Sequence, residues 1–111
     1  MHHCSSNYKH EANAAFLIGC YLIISKDWSV EQVSEALGAS YVRSLRPFRD
    51  AGIGPDDFPL TVIDCLHGID RAIQLNWYSK SGFDCREFES MLHHGDLSWV
   101  LPDQIIAFSS P

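Results

Sequence analysis

Residues 11–25 read EANAAFLIGCYLIIS, a run of Ala, Phe, Leu, Ile and Tyr without a proline and apolar on nearly every side. A helix of that kind belongs at the centre of a domain, because no polar stripe is left to face water. Its most apolar part, Ala14 to Ile24, is about half the ~20 residues a membrane span needs, so burial in protein is expected. Immediately downstream, Asp27 and Trp28 break the run. Ser29 with Gln32 three residues later has the pattern of a capping box in front of Val30, Val33, Ala36 and Leu37, which predicts an amphipathic helix ending at Gly38.

From Ala39 to Pro59, Pro47, Pro55, Pro59, Gly52 and Gly54 predict a long connection with at most one short helical turn. Arg43, Arg46, Arg49 and Asp50 gather around Phe48 in that connection, so internal charge pairing is available. Ile63, Leu66, Ile69 and Ile73 recur at helical spacing and predict a third helix over Leu60 to Trp77, with Gly68 marking close packing against another helix. Asp84 and Glu87 form a second capping pattern, opening a short helix through Leu92 that stops at Gly95. Trp99 to Leu101 and Ile105 to Phe108 are short extended runs around Pro102. The inventory is three to four helices and at most two short strands, and the two strongly apolar helices have few partners among these elements.

The 111 residues suit one domain, and a hydrophobic content of 46% with 20% charged residues is too apolar for a disordered chain. The net charge of -6 and the lack of a basic stripe exclude a phosphate-neutralising nucleic-acid binder and suit a cationic partner better. No membrane partner is expected. Cys4, Cys20, Cys65 and Cys85 show no CxxC pairing and read as reduced, buried thiols. The polar opening, Met1 to His10, has no secretory pattern, so a nuclear or cytoplasmic location is expected.

The opening also carries the chain's most pointed chemistry. His2, His3 and Cys4 precede the first helix as a histidine–cysteine pair precedes the helix of a cysteine phosphatase, where backbone amides and the helix dipole hold phosphate and acidify the thiol. That chemistry needs an arginine six residues after the cysteine, gripping two phosphate oxygens through its planar fork. Here the position is His10. Moving the register by one puts Ser5 in the nucleophile's place and Glu11 in the arginine's, setting a carboxylate against a dianion. Cys4, Ser5 and His10 therefore read as a degenerate loop, and no catalytic residue is expected. His2, His3, Cys4 and His10, like the pair His93 and His94, match no structural zinc spacing, so neither a metal nor any other cofactor is predicted. Trp99, Pro102 and Asp103 are two residues out of register with a Trp-Pro-Asp acid loop and read as exposed turn residues.

The blocks ANAAFLIG (Ala12 to Gly19), PFRDA (Pro47 to Ala51), LTVIDCLHGI (Leu60 to Ile69), GDLSWVLP (Gly95 to Pro102) and AFSSP (Ala107 to Pro111) resemble, in order, the N-terminal domain of the cell-division-cycle dual-specificity protein phosphatases of mitotic exit. The resemblance implies an α/β dual-specificity-phosphatase-like fold of which this chain is mainly the helical C-terminal half. It further implies that residues 1–111 form a partial N-terminal domain starting at the degenerate loop, with preceding strands and the whole catalytic domain outside it. In that family the second of two tandem phosphatase-like domains is catalytic, and the first lines the substrate cleft with acids that favour a basic residue after the phosphoserine-proline site. Two of those acids match Asp50 and Glu89, while a third falls on Leu92 beside a two-residue deletion. The implied role is non-catalytic substrate recognition and scaffolding; the implied partners are the catalytic phosphatase domain and a phosphoprotein with a basic residue. A free-standing pseudophosphatase-like interaction module is the alternative. A nuclear location follows from the resemblance alone, and the isolated chain is expected to oligomerise or aggregate through its uncovered apolar helix.

Overall fold

The computed structural model describes residues 8–49 and 52–110, which divide into two compact units at Arg71/Ala72. The first holds α1 (Tyr8–Lys26), α2 (Val30–Leu37), α3 (Ala39–Ser44) and most of α4 (Val62–Gln74). Its core is built from Ala12, Ala15 and Ile23 of α1, Val30 and Val33 of α2, Val42 of α3 with Leu45 behind it, and Val62 and Leu66 of α4. Val33 and Leu66 are 0% exposed.

Small residues at one stripe of α1 let α4 come close. A Cβ added at Gly19 would lie 2.6 Å from Cδ2 and 2.9 Å from Cδ1 of Leu66, inside van der Waals contact, so the Leu66 side chain occupies the space an ordinary residue would fill. The expected close-packing glycine is thus Gly19 and not Gly68, whose added Cβ would meet nothing within 4 Å. Nor is α1 buried all round. Leu17 is 68% and Tyr21 55% exposed on the face away from the Ala12, Ala15, Gly19, Ile23 stripe.

Local signals set the helix ends. Asp27 takes the left-handed φ of 55° that ends α1, and the Trp28 N–H turns back to donate to the Leu22 carbonyl, six residues earlier, at 3.2 Å. At α2 the capping box forms: Ser29 Oγ accepts the Gln32 N–H at 3.2 Å and Gln32 Oε1 accepts the Ser29 N–H at 2.9 Å. Gly38 at φ 95° ends α2 and leads straight into α3, a six-residue helix within the expected connection. Beyond it, the Phe48 N–H donates to the Leu60 carbonyl at 2.8 Å in an isolated antiparallel bridge, while the Phe48 ring stands edge-on to Phe16 with centroids 6.1 Å apart. That bridge engages Leu60, so α4 begins two residues later than expected. Its start carries a box the sequence reading missed: the Asp64 carboxylate accepts from the Thr61 N–H (2.9 Å) and hydroxyl (2.6 Å), and Thr61 Oγ1 accepts the Asp64 N–H (3.2 Å).

The second unit holds a 3-10 turn at Lys80–Gly82, α5 (Cys85–His93) and the antiparallel strands β1 (Ser98–Leu101) and β2 (Ile105–Ala107). Ser98 faces Ala107, Trp99 faces Ile106 and Leu101 faces Ile105, with an irregularity at Val100 between them. Asp84 caps α5 by accepting the Arg86 and Glu87 N–H groups at 2.8 and 3.2 Å. Ser109 ties the end of the hairpin back to the Gly95 carbonyl through its N–H and hydroxyl at 3.0 and 2.9 Å. The described residues thus contain five α-helices, one more than the upper expectation, and the extra one is α3. No described residue from Ala72 onward is buried.

Candidate functional site

Of the degenerate-loop residues, Cys4 and Ser5 lie outside the described residues, and His10 is exposed in the first turn of α1. The imidazole therefore stands where chain spacing requires a guanidinium. It presents two ring nitrogens about a single ring, not a planar fork of five donors, and cannot take two phosphate oxygens side by side. Glu11 beside it brings a negative charge to the same turn.

Asp50 also lies outside the described residues, but its neighbourhood is visible on both sides. Arg49 Nε pairs with the Asp56 carboxylate at 3.1 Å and its Nη2 donates to the Gly54 carbonyl at 2.9 Å. This closes the connection into a braced loop, and it gives Arg49 a partner other than Asp50. Ile53 and Phe58 on that loop are among the most exposed apolar residues of the chain. Glu89 is exposed on α5, in the second unit, and Leu92 follows three residues later on the same side of the helix.

Sequence reading did not anticipate a cavity of about 500 Å³ in the second unit, walled by Trp77, Phe83, Phe88, Met91, Trp99 and Glu87. Phe83 and Phe88 make its tilted aromatic contact, centroids 5.7 Å apart at 46°. Trp99 lies in the short extended run expected around Pro102, now strand β1, and contributes to this wall while staying exposed; Pro102 and Asp103, the latter at φ 60°, form the turn. Near the end of α5, Nδ1 of His94 donates to the Ser90 carbonyl at 2.6 Å, and both His93 and His94 are exposed.

Among the described residues no three His, Cys, Asp or Glu side chains gather as a metal site, and no helix is long and apolar enough to cross a membrane. Cys20 and Cys65 are free and half-buried, whereas Cys85 is exposed, which corrects the expectation of uniformly buried thiols; Cys4 is outside the described residues. Burial pushes the Cys20 and Cys65 thiols above their ordinary value, with Cys65 adding to the effect on Cys20 and Asp64 to that on Cys65. The Thr61 hydroxyl, then its backbone N–H, hold Asp64 below the usual carboxylate value, helped by His67.

Sequence comparison gives this helical unit its family. Residues 1–72 match the family described as "Dual specificity protein phosphatase, N-terminal half", and the chain belongs to that family. Among its relatives, the dual specificity protein phosphatase CDC14AB of Danio rerio is 39% identical over 113 residues, covering all of this chain and 18% of that protein. CDC14C of Symphalangus syndactylus is 36% identical over 116 residues, covering 100% of this chain and 23% of that protein. The tyrosine-protein phosphatase CDC14 of Saccharomyces cerevisiae is 35% identical over 109 residues, covering 96% and 19% respectively. The chain thus spans less than a quarter of the length of these relatives.

Proposed function

We propose that this chain is the non-catalytic substrate-recognition and scaffolding portion of a dual-specificity protein phosphatase that acts on phosphoserine, phosphothreonine and phosphotyrosine proteins in cell-cycle control. The observation that carries this reading is His10, exposed in the first turn of α1 at the place where phosphate chemistry after Cys4 needs an arginine. The relatives are named as phosphatases and are several times longer, so the catalytic machinery is assigned to sequence outside these 111 residues. The α/β fold of the complete domain, the extent 1–111 as its partial N-terminal domain, and a nuclear location belong to the same proposal.

Its physical support is the uncovered apolar surface. The outer face of α1 carries Leu17 and Tyr21 in water, and the second unit has no buried residue among those described. Both are the condition of pieces that pack against more polypeptide. Asp50 and Glu89 act in this reading as the acids that attract a basic residue of the phosphoprotein, each worth about 0.2–1 kcal/mol when solvent-exposed.

The test is a phosphatase assay on the purified chain with p-nitrophenyl phosphate and a phosphopeptide, with Cys4→Ser as control. Background turnover in both is expected; robust turnover that disappears in Cys4→Ser overturns the reading. In the complete enzyme, Asp50→Ala and Glu89→Ala should each lower kcat/KM for a lysine-containing phosphopeptide about 1.5- to 5-fold, and leave a lysine-free peptide unchanged.

A further inference from the structure

Two free thiols flank the close approach of α1 and α4. Gly19, lacking a side chain, is where Leu66 packs onto α1; Cys20 directly follows the first residue and Cys65 directly precedes the second. Both cysteines are half-buried, beside the apolar stripes that the two helices turn towards each other. The flank of α1 that carries Cys20 is also tied to the start of α4. Phe16, one helical turn before Cys20, meets the Phe48 ring, and the Phe48 backbone bonds to Leu60, five residues ahead of Cys65. The electrostatic influence of Cys65 on the Cys20 thiol agrees with this placement.

We propose that Cys20 and Cys65 form an oxidisable pair that hydrogen peroxide converts into a disulfide joining α1 to α4. This inference stands apart from the phosphatase reading, which uses neither residue. In the first step one thiolate attacks a peroxide oxygen; the O–O bond breaks, hydroxide leaves and takes up a proton as water, and the cysteine becomes a sulfenic acid. In the second, the other sulfur attacks the sulfenic sulfur, the S–O bond breaks and a second water leaves. Two thiols lose two electrons in all and the peroxide is reduced to two waters. A disulfide needs Cα atoms about 4.4–6.8 Å apart, and the seating of Leu66 in the space over Gly19 is what draws the neighbouring backbones of α1 and α4 towards each other. Burial raises both thiols, so the attacking thiolate is a minor form and the reaction should be slow and quicken with pH, while the half-burial of each sulfur limits access by a second molecule's thiol.

The experiment treats the purified 111-residue chain with hydrogen peroxide, blocks the remaining thiols with N-ethylmaleimide, and maps linkages by mass spectrometry of a non-reduced digest. The expected product is a Cys20–Cys65 peptide pair two hydrogens lighter than its reduced components. It should be abolished by dithiothreitol, be retained in the Cys4→Ser, Cys85→Ser double variant, and be accompanied by a higher Tm. In Cys20→Ala, checked as folded by circular dichroism, dimedone should trap the sulfenic acid of Cys65 and the rise in Tm should vanish. Bridges from Cys20 or Cys65 to Cys4, Cys85 or a second chain as the main product overturn the proposal. So does consumption of both thiols without a bridge, or their survival while Cys85 is oxidised.

Discussion

Gly19 and Gly68 sit in helices whose faces meet very different surroundings, and substitution should separate them. A valine at Gly19 drives its branched carbons into Leu66, which is fully buried and has little room to yield; Gly19→Val should lower stability by about 1–3 kcal/mol in urea unfolding. At Gly68 an added methyl meets open space, and the mid-helix glycine costs backbone entropy, so Gly68→Ala should raise stability by about 0.5–1 kcal/mol. Asp64 gives the residue scale its pH dependence. Its folded-state pKa is depressed from an ordinary 3.8, so its contribution is complete above that value and is lost as pH falls through the lowered folded value. The gap in urea midpoint between the parent chain and Asp64→Asn should hold constant from about pH 5 to 7 and close below the ordinary value; a gap that widens on acidification would reverse this sign. Glu31 is also held low, first by its own backbone N–H and then by Ser29, so it contributes in the same direction and leaves the difference measurement to isolate Asp64.

At the level of helices and strands, capping chemistry was the readable part. Ser29 with Gln32 and the carboxylate of Asp84 announced two helix starts that the structure keeps, and Ser29→Ala should cost about 0.5–2 kcal/mol, read as a lower urea midpoint, by leaving the Gln32 N–H without its acceptor. Thr61 with Asp64 does the same work, but aspartate replaces the usual Glu or Gln at the third position, and Leu60 beside it extends the hydrophobic pattern past the true start. The start is decided instead by Phe48, whose bridge to Leu60 links residues twelve apart and leaves no periodic trace. At the other end Asn76 takes φ 57° and stops α4 short of Trp77. The six-residue step from Cys4 to His10 is read by counting alone, because both lie within one short segment. The aromatic cavity was not legible for the opposite reason: Trp77, Phe83, Phe88 and Trp99 become one wall only when a turn, α5 and β1 fold back on each other.

Across the whole molecule the two units differ in kind. Among the described residues every buried apolar side chain belongs to the first, and the second presents Trp77, Phe83, Phe88, Trp99, Ile105 and Phe108 to solvent around a two-stranded hairpin, an arrangement of marginal stability in water. Native-state hydrogen exchange should show this directly, with amides of α5, β1 and β2 opening at far lower free energy than those of α4 from Leu66 to Asp70. Equal protection in both units would mean that the hairpin is stable by itself and that its apolar surface needs no further polypeptide. The exposed side of α1 adds a second consequence. Leu17 and Tyr21 lie one turn apart on one face, so two copies of the chain can each remove that face from water by pairing, a gain that rises with concentration. Light scattering after size exclusion should therefore give a mass above 12.5 kDa that increases with loading. The Leu17→Glu, Tyr21→Glu double variant should elute nearer the monomer, since an acidic face on a chain of net charge -6 repels its copy while the opposite stripe of Ala12, Ala15, Gly19 and Ile23 still holds the core. If that variant associates as strongly as the parent, the contact lies in the second unit, and the same substitution strategy applied to Trp99 and Phe108 should then release the monomer.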